Sequence, residues 1–126
     1  MLDLRFSTDH SWVRRDDDGL ASVGISPYAQ EQLGDIVYIE APDVGRAITE
    51  GEEIGVIESV KTTGELRAPA TGTVVTLNAE ALELPEMVNE SPLDDGWIFR
   101  MRIDDEGALD ALMDEDAYGE YVEGLG

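Results

Sequence analysis

Several short stretches of this chain alternate apolar and polar residues, which is the pattern of half-buried β-strands. The clearest pair covers 11–15 and 21–25, joined by a turn whose Asp18-Gly19 step favours a hairpin. Further extended segments are predicted over 35–40, 53–57, 66–69, 73–77 and 97–103. The chain is therefore expected to be mainly β.

Short helices are predicted between these strands. Ser26 can cap a helix that begins at Pro27, and Gly34 is placed to end it. Residues 79–89 combine helix formers with Pro85, which favours short helical turns over one long helix. The helices are thus expected to connect the strands and not to form a layer of their own.

The C-terminal quarter predicts a last strand followed by helix. In 97–103, Ile98, Arg100 and Arg102 share the face opposite Trp97 and Phe99, and the arginines are expected to pair with acids. Asp104 or Asp105 can cap a C-terminal helix. The predicted buried face of that helix comprises Leu109, Leu112 and Met113, and a second helical piece is expected to contain Ala117, Tyr118, Tyr121 and Val122. No linker divides the chain, so residues 1–126 are expected to form a single domain.

Lys61 is the only lysine, since the other seven of the eight basic residues are arginines. It falls between two predicted strands, near the tip of a hairpin or tight loop. The residues beside it, Ser59, Val60, Thr62 and Thr63, are small and uncharged. Such a position suits an ordinary solvated lysine, and equally a lysine that must be accessible to a modifying enzyme.

The formal net charge of −21 narrows the choice of partners. It argues against nucleic acid and anionic membrane surfaces, which such a chain would repel. An acidic, lysine-poor composition is typical of halophilic organisms, although an acidic face could also dock on basic partners. Without cysteine, an apparent signal peptide or a long apolar stretch, the chain is expected to be a soluble cytoplasmic protein.

Residues for catalysis are scarce. His10 is the only histidine, so a catalytic triad would depend on it, and a zinc site is very improbable without cysteine. Lys61 could act as a Schiff-base nucleophile only with a depressed pKa, and the flanking Glu58 and Glu65 favour the charged ammonium instead. We therefore expect no catalytic residue, and Lys61 is better suited to accept a covalently attached group.

The segment Glu58-Ser59-Val60-Lys61 resembles the lipoyl-attachment segment of the H proteins of the glycine cleavage system. The resemblance spans nearly the whole chain. Further matching blocks are 6–13, Val23-Gly24-Ile25, Ala29-Gln30, 33–37, Ala68-Pro69, Gly72, Leu77-Asn78, Val88-Asn89 and 96–99. The family fold that this implies is a barrel-sandwich hybrid of the lipoyl-domain type, with short helices and a helical C-terminus.

The resemblance implies a carrier with lipoate joined to Lys61 by an amide. The rest of the implied attachment segment comprises Glu58, Ser59, Val60, Thr62 and Glu65. Such an arm would take an aminomethyl group from glycine decarboxylase (P protein), deliver it to aminomethyltransferase (T protein), and be reoxidised by dihydrolipoamide dehydrogenase (L protein). A lipoate ligase or lipoyl transferase would install the group.

Other roles for such a lysine stay open. A lipoate relay or storage protein of the same type could act outside glycine cleavage, and an interaction domain could have lost its prosthetic group. A biotin carrier is disfavoured because Val60 and Thr62, and not methionines, flank Lys61.

The chain departs from the family pattern at its N-terminal segment. A frequent His-Glu-Trp is His10-Ser11-Trp12 here, so the glutamate that the resemblance assigns to arm docking is absent. In an extended segment, Asp9 would share a face with Ser11 and could replace that carboxylate. The arm-docking residues implied are Asp9, Ser11 and Tyr28. Two other departures, Thr62-Thr63 after the lysine and Arg67 before Ala-Pro, concern the details of docking.

The high negative charge predicts that salt stabilises the fold. Self-repulsion opposes compaction, and the screening length falls from about 10 Å at 0.1 M salt to about 3 Å at 1 M. The melting temperature should therefore rise steeply with potassium chloride over that range. Sucrose at matched osmolality is the control, because it does not screen charge. A melting temperature unaffected by potassium chloride would contradict the prediction.

Overall fold

The computed structural model describes residues 4–16 and 18–125, so that residues 1–3, 17 and 126 of the predicted domain lie outside it. Within those ranges the strands form two antiparallel sheets. Their bounds are β1 Leu4–Phe6, β2 Ser11–Arg15, β3 Ala21–Ile25, β4 Ile36–Glu40, β5 Ala47–Ile48, β6 Glu53–Ser59, β7 Thr63–Arg67, β8 Gly72–Leu77 and β9 Phe99–Ile103. One sheet has the order β1-β2-β3-β9-β8-β5, and the other has the order β4-β6-β7.

Four α-helices connect or follow the strands in this part of the chain. They are α1 Pro27–Leu33, α2 Ala79–Glu83, α3 Glu86–Glu90 and α4 Glu115–Gly124, and a 3-10 helix covers Glu106–Ala111. Ser26 caps α1 by accepting a hydrogen bond from the Ala29 amide, and the amide of Gly34 closes its last turn. None of these helices is long and apolar enough to cross a membrane. The mainly β fold with short helices is thus confirmed.

The two sheets share one apolar core. Val23 and Met101 of the larger sheet and Ile57 and Leu66 of the smaller one are fully buried members of the same cluster. Burying such side chains contributes about 1.5–3 kcal/mol each. The three-stranded sheet is therefore held on its inner face, which leaves its β6–β7 end free to project.

The last strand is shorter than predicted. It starts at Phe99, and its buried and more exposed residues alternate as expected up to Ile103. Ile98 lies before the strand, where its alternation does not apply, and its side chain is fully buried, unlike those of the arginines. Its amide donates to the Val23 carbonyl, and its carbonyl accepts from the Asn78 amide. Arg100 does pair with acids: its Nη2 lies 2.7 Å from Asp18 Oδ1, and this hydrogen bond lowers the pKa of Asp18.

The first C-terminal helix was expected to be α-helical and is a 3-10 helix. Asp105 caps it by accepting from the Gly107 amide, as one of the two predicted caps. Leu109 is buried, but Leu112 and Met113 lie beyond the helix. The amide and carbonyl of Met113 both bond Phe6 in a β-bridge, so this backbone cannot continue a helix.

A chain of polar contacts joins α4 to the N-terminal turn. The Tyr118 hydroxyl lies 2.7 Å from Ser26 Oγ and 2.7 Å from His10 Nδ1. Ser26 Oγ also accepts from the Ala29 amide, so this contact chain connects α4 to the cap of α1 as well as to His10. Burial lowers the pKa of His10, which the charge of Asp9 offsets in part.

Stability should depend on pH through His10. The pKa of His10 is lower in the folded than in the unfolded state, so the unfolded chain protonates this imidazole first as the pH falls. The free energy of unfolding therefore decreases as the pH drops below about 6.5. The other side chains facing the ring are those of Tyr28, Tyr118 and Tyr121, and burial raises the pKa of Tyr118. His10→Asn removes the titration and keeps a residue type that tolerates the positive φ of this position.

The difference in free energy of unfolding between the wild type and His10→Asn should narrow from about pH 8 to about pH 5. Urea unfolding at each pH measures it, and the titration of the many carboxylates cancels in the comparison. A difference that stays constant over this range would rule out the proposed titration.

Candidate functional site

Lys61 lies at the tip of the hairpin formed by β6 and β7, where the sequence predicts it. Strand β6 ends at Ser59 and β7 begins at Thr63, so Val60, Lys61 and Thr62 form the turn between them. Strand β6 pairs with β4 on its other side, which makes it the central strand of the smaller sheet. Lys61 is exposed, and no hydrogen bond or ion pair of its ammonium is found among the described residues.

Ser59 holds the backbone of the tip. Its Oγ accepts hydrogen bonds from the amides of Lys61 at 3.3 Å and Thr62 at 3.1 Å. The same hydroxyl donates to the Thr62 carbonyl at 3.0 Å, and the Ser59 amide donates to that carbonyl at 2.8 Å. One small side chain therefore satisfies two amides and one carbonyl of the turn.

The end of α1 supports the same tip. The amide of Val60 donates to the Asp35 carbonyl at 3.0 Å. Beside it, Gly34 has a φ of +85°, and a Cβ at that position would lie 3.2 Å from Lys61 Cε. Glycine is thus favoured at Gly34 both by the backbone conformation and by the lysine stem that passes over it.

Asn89 is a supporting residue to which the sequence analysis assigned no role. Its Oδ1 accepts from the Ile36 amide at 2.9 Å and its Nδ2 donates to the Ile36 carbonyl at 3.2 Å. Gln30 Nε2 of α1 also donates to Asn89 Oδ1, at 3.3 Å. Asn89 therefore ties α3 to the start of β4 and to α1. The sequence contained one indication of this role, because Asn89 belongs to the block Val88-Asn89 that resembles the family pattern.

The two glutamates of the predicted attachment segment differ in setting. Glu58 is exposed and lies opposite Tyr38 of β4. Glu65 lies farther from the tip, where hydrogen bonds from Glu53 and then from Arg67 lower its pKa, while the pKa of Glu53 is raised. Glu65 is also ion-paired with Arg67. Glu65 is thus engaged with its own sheet and not with the lysine.

The structure does not bring the three predicted arm-docking residues together. Asp9 is exposed and lines a cleft of about 250 Å³ with Ser7, Pro69 and Met113. Tyr28 lines a separate cleft beside Tyr118. Neither cleft is lined by Lys61.

The expectation that Asp9 and Ser11 share a face is wrong. Residues 7–10 form a turn in which the His10 amide bonds the Ser7 carbonyl and His10 has a φ of +67°. The turn interrupts the alternation of an extended segment, so Asp9 is exposed at the cleft. Ser11 is buried, and its hydroxyl donates to the Arg67 carbonyl at 3.4 Å.

The site offers one accessible amine on a firmly held turn. No cluster of histidine and carboxylate groups able to hold a metal occurs among the residues that the structure describes. Ser59, the nearest hydroxyl to the turn amides, is occupied by them. The arrangement is therefore suited to presenting Lys61 to another protein.

Comparisons with known proteins point to one family. The family model described as "Glycine cleavage H-protein" matches residues 4–124. The glycine cleavage system H protein of Marinobacter nauticus is 50% identical over 120 residues, which cover 95% of this chain and 92% of that protein. That of Parvibaculum lavamentivorans is 48% identical over 125 residues, with 99% of each chain covered. A crystal structure of a glycine cleavage system H protein from Mycobacterium marinum superposes with a TM-score of 0.87 at 31% identity, covering 96% of this chain and 97% of that one.

Ser59→Ala should loosen the tip without unfolding the sheet. The change removes the acceptor of the Lys61 and Thr62 amides and should cost about 0.5–1.5 kcal/mol. Thr62→Ala is the matched control, because no hydrogen bond of the Thr62 hydroxyl is found among the described residues. Urea unfolding and amide hydrogen exchange at residues 61 and 62 measure the effect. Equal stability and equal exchange in the two variants would show that Ser59 does not hold the turn.

Proposed function

The chain belongs to the glycine cleavage H-protein family, and we propose that Lys61 is the residue to which its lipoyl group is attached. Members of this family are lipoyl carriers and not catalysts, and the carrier role applies to this chain. Membership also implies the three partners of the system, glycine decarboxylase, aminomethyltransferase and dihydrolipoamide dehydrogenase.

The observation that carries the proposal is the exposed lysine at the β6–β7 tip. It is the single lysine of the chain, and its ammonium makes no ion pair within the described ranges. An amide on Nζ therefore displaces no contact of the folded protein. The residues present thus fit a covalently attached acyl group.

Attachment requires Nζ to form an amide with an activated lipoyl carbonyl. The C–N bond forms, the bond between that carbonyl and its activating group breaks, and the lysine ammonium gives up two protons. A lipoate ligase or lipoyl transferase supplies the activated acyl donor. When attached, the lipoyl group supplies a disulfide that accepts the aminomethyl carbon and is later regenerated by the dehydrogenase.

The residues around Lys61 then position the arm by holding the backbone from which the lysine side chain extends. Ser59 fixes the backbone from which the side chain leaves, and the backbone bond from Val60 to Asp35 prevents the tip from swinging with the arm. Gly34 leaves room for the lysine stem. Motion is thereby confined to the side chain and its extension, so that the protein supplies position while the arm supplies reach.

Asp9 is proposed to assist in holding a cationic load on the arm. Its exposed carboxylate in a cleft supports this, although the structure gives no support for Ser11 in the same role. Tyr28 remains a second proposed docking residue through its own cleft. A carboxylate that a cationic amine reaches in a sheltered site forms a charge-assisted hydrogen bond.

We also propose a cytoplasmic setting of high salt, without membrane or nucleic-acid partners. The charge of −21 and the absence of cysteine support this setting. A cytosol rich in salt would screen the repulsion among the acidic side chains.

Lys61→Arg should abolish lipoylation and leave the fold intact, since arginine keeps the charge and offers no acceptor amine. The unmodified protein is incubated with lipoate ligase, lipoate and ATP, and intact mass is measured. The wild type should gain one lipoyl group and Lys61→Arg none. Melting temperatures of the two proteins check the fold.

Arg102→Lys provides the matched control, because it adds a lysine at an exposed strand position away from the tip. This variant should gain one group, and peptide mapping should find it at Lys61. Modification at residue 102, or of Lys61→Arg at any position, would overturn the assignment.

A further inference from the structure

The start of β4 contains a β-bulge that places two apolar side chains in solvent. Ile36 pairs with Ser59 and Tyr38 with Glu58, so Val37 is an extra residue without a partner in the ladder. In a regular strand, Val37 and Tyr38 would point to opposite faces. Here both are exposed, Val37 to 54% and Tyr38 to 48%. In a regular strand one of these two apolar side chains would be buried. The bulge therefore directs it outwards.

One of them, Val37, lies beside the residue that precedes the lysine. Val37 and Val60 line a groove of about 440 Å³ with Ile36, and Val60 is 70% exposed. Asp35, Glu86 and Glu90 form the rim of this surface, which we call the tip groove. Among the described residues the large exposed apolar side chains are Val37, Tyr38, Val44, Val60, Leu84 and Leu125. Two of these six, Val37 and Val60, thus line the tip groove, and a third, Tyr38, pairs with Glu58 of the Lys61 hairpin.

Internal packing does not explain this arrangement. All three rim carboxylates are exposed, and none of the ion pairs found in the described ranges involves them. Leaving Val37 and Val60 in water forgoes the stabilisation that burial would give. An apolar centre with a charged rim is the composition of a protein–protein contact site.

We propose that the tip groove together with Tyr38 is the docking surface for the enzyme that attaches lipoate to Lys61. The complementary surface of that enzyme is an apolar projection flanked by arginine or lysine, which the acidic rim favours. The inference rests on the function proposed for Lys61.

The chemistry of attachment selects this partner over the others. Before modification the chain has no arm, so the attaching enzyme must bring its own active site to Nζ at the tip. It therefore covers the residues on either side of Lys61, including Val60. The three glycine cleavage enzymes act on the far end of the arm and can reach it without covering the tip groove.

Val37→Ser tests the apolar centre, with Val44→Ser as its matched control. Val44 is a valine of similar exposure, 59%, in a turn outside the groove. Initial rates of lipoylation by a purified ligase are measured against the concentration of unmodified carrier. Val37→Ser should raise KM about fivefold to tenfold with little change in kcat, as expected when a contact made equally in the ground and transition states is lost. Val44→Ser should match the wild type.

The acidic rim is tested by the pair Glu86→Gln and Glu90→Gln in one chain. The control is Glu120→Gln with Glu123→Gln, which changes the net charge equally on the exposed face of α4. The rim variant should raise KM severalfold at low salt, and the difference from its control should shrink as potassium chloride screens the charges.

The outcomes separate this inference from the function on which it rests. If wild type is lipoylated at Lys61 but Val37→Ser and Val44→Ser have the same KM, the docking surface is wrong and the attachment site stands. If Val37→Ser leaves the KM of lipoylation unchanged but weakens binding of the lipoylated carrier to the decarboxylase, the attaching enzyme is the wrong occupant. If Lys61 is not modified at all, the proposed function itself fails. Circular dichroism melting checks that each variant is folded.

Discussion

The hydrogen-bonded pairing of β6 on both of its edges is the constraint on which the lysine site depends. Strand β4 pairs with one edge and β7 with the other, and the inner face of the sheet is packed into the shared core. Such a strand cannot shift by a residue without turning its buried side chains outwards. The ends of β6 and β7 are therefore held in place by the sheet. Only the three residues of the turn between them have to be fixed by local contacts.

Much of this could be predicted from the sequence, because alternation and turn residues are local signals. The hairpin around Lys61, the capped helix from Pro27 to Gly34 and the last strand all come from such patterns. The short strands β1 and β5 were not predicted, since segments of three and two residues have too little periodicity to detect. The 3-10 helix was mistaken for an α-helix because the Phe6–Met113 bridge that limits it joins residues distant in sequence.

At the candidate site, too, features set by local sequence could be predicted, and features set by contacts between distant segments could not. The position of Lys61 follows from its flanking strands, but the face of Asp9 does not, because His10 adopts a positive φ that is uncommon for any residue other than glycine. That conformation is accompanied by contacts with Tyr28, Tyr118 and Tyr121, which come from α1 and α4. Likewise, the bulge at Val37 comes from the offset between β4 and β6, which no single segment encodes. Tertiary pairing decided each of these features.

The bulge also bears on how the sheet ends. Strand β4 is the outer strand of the smaller sheet; Asn89 occupies the amide and carbonyl of Ile36, and the rest of its outer edge pairs with no strand among the described residues. Such an edge is a template for a strand from another molecule. An extra residue interrupts the regular spacing of amides and carbonyls there, and Glu40 adds a charge at the far end of the same strand. Two copies brought together edge to edge would meet mismatched donors and like charges. The irregularity that exposes apolar side chains thus also works against aggregation of the chain through them.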